Sequence, residues 1–305
     1  MNAKLLKNYL LLHLIVVIFG FTAIFGKLIS LDSGVLVWYR MLIAVFGIAV
    51  YFRLTGRSFR LPIKMVVKTL LVGLLVAGHW VCFFESIKRS NVSIGLVCLS
   101  LAPFFISFLE PLLFPRRYRA YEGILGVMTV IGMAGIYSFE SQYVSGIIVG
   151  ILAVSLSSLF TVINARLVRN HDSSIISFYE LIGGWAGLCI YLFAIRGVEV
   201  SELALNWEDS IYLLILGLIC TSFAFIGSVH VMKVITPFTT MLIINLEPVY
   251  GIGLALVIFG ETEFMSWGFY LGAAAILGSI VVNAMLARKR APMAPSNLNE
   301  KDDIQ

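Results

Sequence analysis

Charge is scarce in this chain: of its 305 residues only 13% are Asp, Glu, Lys or Arg, while 60% are hydrophobic. A mean hydropathy of +0.97 excludes an ordinary water-soluble domain and points to a membrane as the solvent. Cysteine is also sparse. Cys82, Cys98, Cys189 and Cys220 all lie inside apolar runs with no C-x-x-C spacing, which excludes a disulfide framework and a zinc site and leaves small core residues. No P-loop, no H-E-x-x-H and no soluble ATPase segment occur, so any transport would draw on gradients, and no cofactor is expected. Gly251-x-Gly253 has no strand before it and is not a dinucleotide loop. Lys and Arg outnumber the acids by 22 to 17, but in short clusters between apolar runs. That is a topology signal, not a nucleic-acid surface.

Apolar stretches number ten, over about 9–29, 34–52, 66–87, 91–114, 122–139, 145–167, 174–194, 209–231, 238–259 and 266–287, each near the ~20 residues a bilayer crossing needs. The first run is too long for a signal peptide and lacks a small-x-small cleavage site, so it reads as a retained helix. Residues 288–305 read as a disordered polar tail. With the N-terminus inside, 17 Lys and Arg fall on the inner side and only Lys27, Lys88, Arg89 and Arg196 on the outer. Both termini are therefore expected in the cytoplasm of a multi-pass cell (inner) membrane protein.

Residues 97–137 and 241–283 are one segment written twice. Setting Ala102-Pro103 on Glu247-Pro248, a shift of 145, gives in each copy a helix-interior proline, about ten apolar residues, a polar break and a glycine (Gly123, Gly268) that resumes the run. Upstream the match is weaker: Trp38-Tyr39-Arg40 resembles Phe178-Tyr179-Glu180 and Thr22…Lys27 resembles Thr161…Arg166. Ten spans in two copies make five per copy. Five is odd, so the second copy enters from the other side and the repeats, 9–139 and 145–287, are inverted. The fold expected is an all-α polytopic membrane protein of ten transmembrane helices in two inverted five-helix repeats.

The stretch Asn245-Leu246-Glu247-Pro248-Val249-Tyr250, with Phe259-Gly260-Glu261 and Gly268…Gly272…Gly278, is similar to the C-terminal signature of the EamA family within the drug/metabolite transporter superfamily. Leu101-Ala102-Pro103-Phe104 with Gly123…Gly126…Gly132 repeats it, and Arg40 matches an arginine common in that family's second span. The resemblance spans about residues 9–287. It implies a secondary transporter, usually an exporter of amino acids or other small metabolites, working by alternating access. Where members often carry Gly-Glu after span four this chain has Pro115-Arg116, so a role for that glutamate carries over only to Glu261.

Ionisable groups within a bilayer are costly and are functional candidates. Glu247, about nine residues into span nine, lies near the midplane beside Pro248, which with Pro103 would free carbonyls to face a cavity. Arg40 and Glu180 occupy matching places and could hold a substrate carboxylate and amine; each could instead be a structural ion pair. His79, with Trp80, could pass a proton or bond a neighbouring helix. Glu85 and His230, at opposite faces, are gate candidates or solvated interfacial groups. The cavity is expected between spans four and nine, around Ser100, Asn245 and Glu247, with Arg40 and His79 toward the outer side of the membrane and Glu180 toward the inner. Expected partners are a small-molecule substrate and membrane lipid. If an ion is coupled, Glu and His favour protons over sodium. A monomer and a dimer both remain open. The second reading, an integral-membrane enzyme acting on lipid or isoprenoid substrates, would want an H-x-x-x-D or D-D-x-x-D array at one face, and none is present.

Overall fold

The computed structural model describes residues 3–114, 120–168, 171–231, 234–235, 243–244 and 246–290. These are helical nearly throughout. Span one is Ala3–Leu28, span two Ser33–Thr55, span three Ile63–Arg89 and span five Ala120–Phe139. Span four is broken into Val92–Leu99 and Ala102–Leu113. Span six is Val144–Leu167; span seven is Ser173–Cys189, continued by Ile190–Arg196. Span eight runs through Trp207–Leu214, Ile215–Phe223 and Ala224–Val231; span nine is described over Glu247–Phe259 and span ten over Trp267–Arg290. Among the described residues, seven helices are long and apolar enough to cross a bilayer, with shorter apolar helices at Gly123–Phe139 and Trp267–Val282. Span ten extends three residues into the stretch expected as a tail; residues 291–305 lie outside the described residues.

Local chemistry sets the helix ends. Asp32, Asn91, Asp172 and Asn206 each accept a hydrogen bond from a backbone N–H of the following first turn, occupying donors that a helix start leaves free. Gly56 (φ 65°) and Gly197 (φ 67°) end spans two and seven in the left-handed region, where a Cβ would be strained. One expectation is corrected here. Pro103 and Pro248 are not helix-interior: each stands in the first turn of a new helix, after Leu101 (φ −78°, ψ −6°) and Leu246 (φ −81°, ψ −3°) respectively. A proline there forfeits no internal hydrogen bond, because first-turn N–H groups have no helical partner.

The packing has the symmetry of a duplication. Span three packs on six and seven, and span eight on one and two; span four packs on six, and span nine on one. Two meets seven, four meets nine and five meets ten. Exchanging each span for the one five places along leaves these pairs unchanged. Glycines permit the closest crossings. A Cβ on Gly73 would stand 2.0 Å from the Glu180 carbonyl oxygen, and one on Gly183 2.2 Å from that of Leu70. Gly132 and Gly272 likewise face one another across spans five and ten. Large apolar side chains such as Leu54, Ile63, Leu112 and Val257 are exposed, as a lipid-facing surface requires. Ten crossings bring the start of span one and the end of span ten to one side, called here the terminal face.

Candidate functional site

A cavity of about 200 Å³ lies between spans one, two and three of the first repeat and six, seven and eight of the second. Arg40 and Glu180 both line it. Arg40 is 4% exposed. Its Nε donates to Thr221 Oγ1 at 2.9 Å, and its guanidinium lies 3.9 Å from the centre of the Trp80 ring and 5.5 Å from that of Phe84. Arginine held by stacking on an aromatic face keeps its donor edge free for a ligand. One terminal nitrogen of Arg40 indeed has no hydrogen-bond partner, and neither do Oε1 of Glu180 and Oδ1 of Asn164, which also line the cavity. Buried polar atoms are nearly always satisfied. Three unsatisfied ones stand around this one cavity, where a polar guest could complete them.

Span eight supplies Thr221 through its backbone. Ile215–Phe223 is π-helical, and the Thr221 hydroxyl donates to the Leu216 carbonyl five residues back at 2.8 Å. Ser222 donates to Gly217 in the same way at 3.0 Å and to Ala44 of span two at 3.2 Å. Thr221 thus accepts from Arg40 with its own proton already committed. Such widened turns concentrate at functional sites. Glu180 is fixed by its backbone, since its carbonyl sits against Gly73.

The structure brings together Arg40, Glu180 and Trp80 and leaves other candidates apart. His79 is buried, and Nδ1 donates to the Ala153 carbonyl at 2.8 Å, joining spans three and six; it does not line the cavity. Ser100 is buried with an unpartnered hydroxyl at the break in span four, and neither it nor Pro103 nor Pro248 lines the cavity. Asn245 lies outside the described residues. Glu247, in the first turn of span nine, is within electrostatic reach of Arg40 but makes no direct ion pair with it among the described residues. Glu85 accepts from Ser33 and Arg89 at 2.7 Å each, away from the terminal face, whereas His230 borders a second cavity on the terminal side with Tyr51, Arg57 and Ser174. The reading of the sequence missed Asn164 and Thr221. The run Cys220-Thr221-Ser222 inside an apolar span was the available signal for the latter.

Apolar helices paired by a twofold exchange around a cavity into which Arg40 and Glu180 bring opposite charges have the architecture of a membrane transporter. The chain belongs to the EamA-like transporter family, whose model matches it twice, at residues 6–138 and 144–285. It is 23% identical over 252 residues to the uncharacterized transporter YxxF of Bacillus subtilis (strain 168), covering 80% of this chain and 79% of that protein. A solved crystal structure superposes with a TM-score of 0.61 at 19% identity, over 92% of this chain and 99% of the other; at that identity it speaks for the fold alone. The family and the Bacillus relative place the chain with membrane transporters and imply a small-molecule substrate.

Proposed function

We propose that this transporter exports small zwitterionic metabolites, amino acids among them, by alternating access. The observation that carries the reading is the pair of opposite charges, Arg40 and Glu180, each with an unsatisfied atom at one cavity. A substrate carboxylate would complete Arg40 and a substrate amine would complete Glu180. The two come from matching places in inverted repeats, the arrangement in which rocking one repeat against the other exposes a single site to either side. The Lys and Arg bias makes the terminal face cytoplasmic in this reading. Ser177 and Asn164, within a few residues of the terminal-face ends of spans seven and six, line the cavity, so it extends toward the side from which an exporter loads. Glu247, near Arg40 without pairing to it, is the group that would link substrate binding to a proton.

The test is counterflow in proteoliposomes. An unlabelled amino acid should compete with its radiolabelled form. Its methyl ester, lacking the carboxylate, and its 2-oxo acid, lacking the amine, should each compete at least about tenfold more weakly, the worth of one charge-assisted hydrogen bond. Equal competition by all three would overturn the zwitterion reading.

A further inference from the structure

Away from the cavity, one contact occurs twice. Asp32 accepts from Gly34 N at 2.9 Å at the start of span two; Asp172 accepts from Ser174 N at 2.8 Å at the start of span seven. Each aspartate also pairs with an arginine near the end of the other span. Arg196 Nη1 lies 2.9 Å from Asp32, and Arg57 Nη1 lies 3.2 Å from Asp172. Tyrosines follow the same rule. Tyr39 donates to the Leu203 carbonyl at 2.9 Å, and Tyr179 to that of Phe59 at 2.8 Å. Spans two and seven are antiparallel, so the two ion pairs lie at opposite faces of the membrane, and each joins one repeat to the other.

They are unequal. The second nitrogen of Arg196 holds another carboxylate, Glu202, at 2.9 Å. The place matching Glu202 in the first repeat, counted from the paired acceptors Leu203 and Phe59, is Ser58, whose hydroxyl accepts from Arg60 N and offers Arg57 no second carboxylate. Arg57 instead reaches the Ser174 hydroxyl at 3.4 Å. Beside Asp32 the first repeat's own end is braced by Ser33 on Glu85 and by Lys88, which donates to the Ile29 and Leu31 carbonyls. Beside Asp172 there is open space: Arg57 borders two cavities, of about 240 and 360 Å³, with His230 in the first and Arg60 and His171 in the second.

We infer that Arg196–Asp32 and Arg57–Asp172 are the two latches that decide to which face the central cavity opens, and that their inequality biases the resting protein toward opening at the terminal face. The inference rests on the alternating-access reading. Rocking the repeats separates their helix ends on one face at a time, so one latch must part, and Arg57, which reaches across only by contacts of 3.2 and 3.4 Å beside open space, parts more readily than Arg196, which meets Asp32 at 2.9 Å and is held in place by Glu202 of its own repeat. The competing arrangement is a permanent clamp, in which spans two and seven move together and neither pair breaks.

The experiment uses Ser177→Cys as a reporter, because Ser177 lines the cavity, in the full chain lacking its four native cysteines. A membrane-impermeant thiol reagent is applied to either face in oriented vesicles. The reference protein should react mainly from the terminal face. Asp32→Asn keeps the helix cap, for which Asn serves as well as Asp, and removes the ion pair. It should raise labelling from the opposite face roughly two- to fivefold, the scale of exposed charge pairs. Glu202→Gln reads the same latch without touching the cap and should act in the same direction. Asp172→Asn should raise terminal-face labelling by less than about twofold. Variants that leave a sided reference unchanged, or that all shift it the same way, would overturn the latches and favour the clamp. A reference protein labelled equally from both faces, with no response to substrate, would instead overturn alternating access itself.

Discussion

Span two and span seven share an aspartate cap, a tyrosine that bonds a loop carbonyl and a paired arginine at matching places, yet where one carries Arg40 the other carries Glu180. The surroundings diverge in step. Trp80 and Phe225 stand 145 residues apart and both line the cavity, as do Val76 and Thr221. The first repeat thus offers an indole face and the second a phenyl ring, and only the second offers a hydroxyl. Duplication preserved what holds the helices and let the cavity differentiate. A symmetric cavity would suit a symmetric guest, whereas one with a cationic and an anionic wall would orient the zwitterion proposed above.

The strongest way to break this comparison is to exchange the charges. Arg40→Glu and Glu180→Arg should each lower counterflow on the order of a hundredfold or more, because each leaves two like charges at one buried cavity. The double variant Arg40→Glu/Glu180→Arg should recover part of that loss, since an arginine at 180 would have Phe225 nearby. It should stay below the native protein because Val76 cannot replace the Thr221 hydroxyl. No recovery in counterflow would show the two walls to be non-interchangeable.

A smaller effect should separate the glycines that face these residues. Gly73 packs on the Glu180 carbonyl, with backbone atoms as its nearest neighbours, whereas a Cβ on Gly217 would meet the Ile43 side chain at 2.5 Å and the Arg40 carbonyl only at 3.4 Å. Side chains yield and backbone does not. Gly73→Ala should therefore lower thermal stability in detergent by about 1–3 kcal/mol, and Gly217→Ala by clearly less; equal losses would contradict the asymmetry. Smallest of all, Tyr39→Phe and Tyr179→Phe each remove one hydrogen bond of similar length. Each should cost about 0.5–1.5 kcal/mol, alike within error in the same unfolding measurement, if the scaffold is truly duplicated.

The positions of the spans were legible because crossing a bilayer imposes a length and a composition on every helix. The repeat was legible at Pro103 and Pro248, where a helix break leaves a mark in sequence. What that mark meant was not: a proline inside a run and a proline starting a new helix look the same until the preceding residue's dihedrals are known. Arg40, Glu180 and Trp80 stood out because charge and indole are rare in lipid. Thr221 and Asn164 did not, since a hydroxyl or an amide inside an apolar run bonds its own helix as readily as a ligand. The cavity expected at spans four and nine falls partly on residues outside the described ones; the cavity described lies among spans one, two, three, six, seven and eight. Hydropathy says which residues face lipid; it does not say which helices are neighbours.

The π-helical turns allow the lengths of the two repeats to be reconciled. Asp32 and Asp172, which open spans two and seven, are 140 residues apart; Gly56 and Gly197, which close them, are 141 apart. The extra residue falls in span seven, where Ile190–Arg196 is π-helical and span two is not. The next spans open at Pro62 and Asn206, 144 apart, the loop having grown by three. By Pro103 and Pro248 the offset is 145, and the helix crossed between is span eight with its π-helical Ile215–Phe223. Each wide turn thus lodges one surplus residue without lengthening its helix by a full step. Removing one residue from Ile215–Gly217 should restore α-helical pitch, close the wide turn and displace the Thr221 hydroxyl from the Arg40 Nε that it now meets.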